Sequence, residues 1–88
     1  MKVSIPGQIY SFCLSQTFED KDLDEAIKKG KYVKRGKGWS LVCEVNEAAM
    51  KELLWYLDAY SDPTGYDEDW FQAIRACKWL HDKLIKIT

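Results

Sequence analysis

Hydrophobic positions recur along this chain in two rhythms, and the switch between them predicts where strands give way to helices. From Gln8 to Ser15, β-branched and aromatic side chains follow a Pro6-Gly7 turn signal, and alternation sets Tyr10, Phe12 and Leu14 on one face of an expected strand. Glu19 to Gly30 has the other rhythm. Leu23, Ala26 and Ile27 fall at helical spacing, acids open the segment, Lys28 and Lys29 close it and Gly30 stops it, which predicts a short helix with charges matched to its dipole. Two β-prone runs follow, Lys31 to Lys34 and Trp39 to Val45, joined by Arg35-Gly36-Lys37-Gly38, whose glycines suit a tight hairpin turn. In the second run Trp39, Leu41, Cys43 and Val45 alternate onto the face expected to meet the core, with Ser40, Val42 and Glu44 on the other.

The remainder of the chain is helical in pattern. Asn46 is a good N-cap, and from Glu47 to Tyr60 the apolar residues Met50, Leu53, Leu54, Leu57 and Tyr60 form a core-facing stripe. Ser61-Asp62-Pro63-Thr64-Gly65 breaks that stripe and turns the chain. A second long helix, from Asp67 to Lys86, carries acids in its first turn and a stripe of Trp70, Ala73, Ile74, Cys77, Leu80, Leu84 and, just beyond, Ile87. The order predicts an α+β fold: a small antiparallel sheet of about three strands packed against a C-terminal helical hairpin, with one short helix after the first strand.

With 88 residues, 47% of them hydrophobic, the chain is expected to fold as a single domain over 1–88, since two pieces would each be too small to bury a core. Met1 to Ile5 run straight into Pro6, Gly7 and Gln8, which is unlike a secretory signal, and no apolar run approaches the ~20 residues of a membrane span. Cys13, Cys43 and Cys77 are odd in number and widely spaced, which speaks against a disulfide framework and for buried thiols in a cytoplasmic protein.

Candidate chemistry is sparse. The glycines between Gly30 and Gly38 lack the serine or threonine of a phosphate-binding loop. His81 follows Cys77 by four residues, so a helix projects both from one face, but Cys77 belongs to the core stripe and ordinary packing accounts for the pair. Cys13, Cys43, Cys77 and His81 have the donor types of a structural zinc site without any paired C-x2-C spacing. Asp58, Asp62, Asp67, Glu68 and Asp69 cluster at a turn and a helix start, where solvated capping acids are the expected reading. No catalytic residue, metal, cofactor or small-molecule substrate is assigned, and the chain is read as non-enzymatic.

Charge and aromatic placement carry more. The net charge is only −1, so no global field draws the molecule toward nucleic acid or membrane. Locally, Lys28, Lys29, Lys31, Lys34, Arg35 and Lys37 crowd a stretch of ten residues without an acid. Such a basic hairpin can contact an acidic protein or hold phosphates, with Tyr32 and Trp39 as nearby stacking surfaces, or it can be a solvated edge protected by lysines. Trp55, Phe71 and Trp79 lie off the apolar stripes of their helices and are either an aromatic anchor for a partner or the completion of a wide core. The leading expectation is a protein-binding module, with a homodimer among its associations, and the alternative is a nucleic-acid-contacting protein that uses residues 28–37. Small size, aromatic-rich helices and the lack of site motifs give the chain the look of phage or mobile-element proteins that inhibit host factors such as CRISPR-type antiviral effectors. No excess of acid mimics DNA.

Overall fold

The strand pairings of the computed structural model, which describes residues 1–15 and 21–87, define a three-stranded antiparallel sheet in the order β1-β3-β2. The strands are β1 (Lys2–Pro6), β2 (Lys31–Arg35) and β3 (Gly38–Glu44). The helices are α1 (Gly7–Ile9), running into a π-helical turn at Tyr10–Leu14, then α2 (Lys21–Lys29), α3 (Glu47–Ala59) and α4 (Phe71–Ile87), the last preceded by a 3-10 turn at Glu68–Trp70. The α+β architecture is as the sequence implies. Of the expected helix from Glu19 onward, positions 19 and 20 lie outside the described residues.

The first strand is where the sequence reading fails. Residues 8–14 are helical, and the strand is the segment before them, in which Val3 and Ile5 are buried and Lys2 and Ser4 exposed. Burial at Ile9, Cys13 and Leu14 follows the four-residue spacing of one helical face, so Tyr10, Phe12 and Leu14 do not share a side as they would on a strand. A short apolar run fits either period, and packing of α1 against β3 and α4 decides this one. Pro6 and Gly7 thus end a strand and begin a helix.

Register aligns the inward residues. Val3 stands opposite Cys43 and Ile5 opposite Leu41, one face of the sheet that joins Leu23, Ile27, Leu53, Leu57, Cys77 and Leu80 in a continuous core. The other face of the sheet carries Ser4, Lys31 and Val33 toward solvent, the usual arrangement for an antiparallel sheet covered on one side. Asn46 caps α3 as expected, its Oδ1 accepting the Ala49 N–H at 2.8 Å. Three expected core positions are corrected. Trp70 belongs to the 3-10 turn ahead of α4 and is 44% exposed, Ile87 lies beyond the last buried turn at Leu84 and is exposed, and Trp39 points to the expected face but sits at the margin of the core, partly exposed.

Candidate functional site

The β2–β3 hairpin is the least covered part of the sheet. All five residues of β2 are exposed, on both faces; of the strands, helices α1 and α2 pack mainly against β3, and Tyr10 of the π-helical turn reaches Tyr32. Its turn is Gly36-Lys37, and Gly36 has φ of +57° while Lys37 does not, the pattern of a II′ turn whose first central residue needs glycine. Of the six basic residues singled out in the sequence, all exposed, Lys28 is engaged with Asp24 at 2.8 Å on α2. Lys29, Lys31, Lys34, Arg35 and Lys37 form no ion pair among the described residues, leaving a local excess of positive charge on the hairpin.

An aromatic group sits on one face of this hairpin. Lys34 is opposite Trp39 and Tyr32 opposite Leu41, so Tyr32, Lys34 and Trp39 share a side. The Tyr32 and Trp39 rings meet edge-on with centroids 5.1 Å apart, and Tyr10, brought in by the π-helical turn, meets Trp39 at 5.7 Å. Tyr32 is 64% exposed and Trp39 37%. The Trp39 indole lies over Gly7, so close that a Cβ there would stand 2.5 Å from Cε2. Partial burial, followed by the neighbouring Tyr32 phenol and its hydrogen bond, raises the pKa of the Tyr10 hydroxyl. Tyr10 and Gly7 were not legible as parts of a site, since only tertiary packing brings a helical turn over the hairpin.

The other aromatic candidates separate. Trp55 is 62% exposed and touches the ring of its neighbour Tyr56, and Trp79 is 56% exposed with the Lys83 ammonium 5.0 Å above its ring. Phe71 is half-buried at a depression with Pro63, Ile74 and Arg75. No ring contact joins Trp55, Phe71 and Trp79 among the described residues. A second ring cluster, unforeseen in the sequence, gathers Phe12, Tyr60, Tyr66 and Trp70 where the π-helical turn meets the end of α3, with Phe12 centroids 5.0–5.4 Å from the other three.

Cys13 and Cys77 meet in the core with their sulfurs 3.9 Å apart, while Cys43 is buried elsewhere and all three are free thiols. Their contact pushes the Cys13 thiol far up and Cys77 down, and burial raises both. His81 turns to Asp82, with Nδ1 3.3 Å from Oδ1. Among the described residues no three His, Cys, Asp or Glu side chains gather in a way that would hold a metal, and no helix is long and apolar enough to cross a membrane. No family model, curated protein or solved structure matches the chain.

Proposed function

We propose that this protein is a non-enzymatic protein-binding module whose working surface is the β2–β3 hairpin. The observation that supports this is coincidence in one place: an uncovered strand, five cations without an ion pair among the described residues, and the Tyr10–Trp39–Tyr32 ring group. Large rings with adjacent cations are the composition of binding hot spots, and the cations favour an acidic partner through charge complementarity and faster encounter. Trp55 and Trp79 are secondary candidates, because among the described residues neither belongs to a cluster of three or more rings. The module acts by occupancy, covering a partner's surface, and inhibition of a host factor would be that occupancy put to use. Three free, buried thiols accord with a reducing, cytoplasmic setting.

Affinity capture from nuclease-treated extract tests the reading. A protein retained by the native chain, lost with Lys34→Glu/Arg35→Glu or Tyr32→Ala and kept with Trp55→Ala supports it. Loss with Trp55→Ala alone moves the surface to α3. A second reading is favoured by the exposed Tyr32 ring beside Lys34, since stacking on a ring next to cations also suits single-stranded nucleic acid. It requires binding of an oligothymidylate that weakens steeply with salt. Capture of nucleic acid alone, without nuclease treatment, would replace the first reading by the second.

A further inference from the structure

We propose that the open edge of β2 takes up an extended, acidic segment of a protein partner as an added strand, a mode of binding that rests on the hairpin being the working surface. In the order β1-β3-β2 both outer strands have one unpaired edge. β1 ends in proline and passes directly into α1, whereas β2 has no proline and pairs with β3 residue for residue from Lys31↔Val42 to Arg35↔Gly38, without a bulge. Proline, bulges and lysine are the usual devices that blunt an edge, and of these β2 carries only lysine. With the two-residue turn closing on the Arg35–Gly38 pair, ladder alternation turns the backbone N–H and C=O of Tyr32 and Lys34 outward. These are the groups that strand addition would satisfy.

Charge selects the occupant. A second copy of β2 laid antiparallel about Val33 would set Lys31 against Arg35, and laid about Lys34 it would set Lys34 against its own copy, and like charges across a strand pair are destabilising. A strand with glutamate or aspartate at alternate positions meets them favourably. Its apolar positions have surfaces to cover on both sides: Tyr32 on the inner face, and on the outer face Val33 and Val42, which line a depression of about 390 Å³ with Lys29 and Lys31. The cations therefore disfavour self-pairing and favour an acidic partner, which distinguishes this edge from one closed to all strands.

The test uses the full chain, nitrogen-15 labelled, with a capped octapeptide alternating glutamate with valine and threonine as the probe. At saturation, hydrogen exchange at the Tyr32 and Lys34 amides slows at least about tenfold, with little change at Lys31, Val33 and Arg35, whose amides are already paired. The peptide with lysine for every glutamate gives no slowing. Tyr32→Pro, checked for folding by circular dichroism, loses the outward N–H as well as the ring and weakens binding at least about tenfold more than Tyr32→Ala, which loses the ring alone; both keep every cation. If the peptide shifts resonances of the hairpin but the Tyr32 and Lys34 amides exchange unchanged and folded Tyr32→Pro binds no more weakly than Tyr32→Ala, strand addition is refuted and the hairpin surface survives. If the peptide binds nowhere on the hairpin, the inference is refuted. If an oligothymidylate binds there instead, the protein-binding reading goes with it.

Discussion

Substituting Gly7 by alanine tests whether the position of Trp39, and with it the ring group of the hairpin, is set by a missing side chain. The added Cβ would meet Cε2 of the indole at 2.5 Å and Cδ2 and Nε1 at 2.8 Å, where ordinary contact begins near 3.4 Å. The ring must retreat by roughly an ångström, against its edge-on contacts with Tyr10 and Tyr32. Overpacking of this kind costs about 1–3 kcal/mol. Opposing it, alanine restricts the unfolded chain and favours the helical backbone of Gly7, a gain of about 0.4–1 kcal/mol. The net expectation is a loss of about 1–2 kcal/mol, read by urea unfolding followed by far-ultraviolet circular dichroism, with a melting shift of about 4–8 °C per kcal/mol in a domain of this size. In a Trp39→Ala background the clash is gone, and the same Gly7→Ala change becomes stabilising by about 0.4–1 kcal/mol. The reversal of sign between backgrounds is the signature of the contact. Should Gly7→Ala be neutral or stabilising with Trp39 present, the close approach does not hold the ring and the account of the site's geometry fails.

Three further outcomes are expected. Asn46→Ala, which removes the acceptor of the Ala49 N–H at the start of α3, lowers stability by about 1 kcal/mol in the same urea assay, and Asn46→Asp restores most of it. Tyr10 ionises above the ordinary tyrosine range, first from burial and then from Tyr32; because the folded-state pKa is the raised one, the stability it contributes is fully present below the unfolded value of 10.0 and lost as pH rises through the folded one. Phenolate absorbance during an alkaline titration checks this, and Tyr32→Phe reduces the elevation without abolishing it. Lastly, a chromogenic disulfide reagent finds no reactive thiol in the native protein and all three after denaturation, since Cys13, Cys43 and Cys77 are buried; prompt native reaction would contradict the core packing.

The helices after residue 45 were legible because long apolar stripes and the Asn46 cap agree, so α3 and the body of α4 fall where period and cap put them. The glycine-bearing turn located the hairpin for the same reason: local chemistry determines it. Residues 2–14 were not legible, because a five-residue strand with two buried positions and a short helical run give periodic signals too brief to tell apart. The basic half of the site could be read as a run of cations. Its aromatic half could not, as Tyr10 reaches Trp39 through a contact between segments nearly thirty residues apart. The same limit applied to Trp55, Phe71 and Trp79, whose exposure depends on how each helix is rotated about its axis.

Every fully buried apolar side chain described is aliphatic or sulfur-bearing, and all four tryptophans lie at the surface. The spectroscopic character of the molecule follows from that placement. Trp55 and Trp79, more than half exposed, are expected to emit as indoles in contact with water, so their wavelength changes little on unfolding and reports the loss of the core poorly. Trp39, by contrast, is the one indole on the hairpin, and a ligand that covers it alters emission and shields it from a soluble quencher. The protein thus carries a built-in optical reporter of occupancy, and with Trp55, Trp70 and Trp79 replaced by phenylalanine that reporter can be read alone.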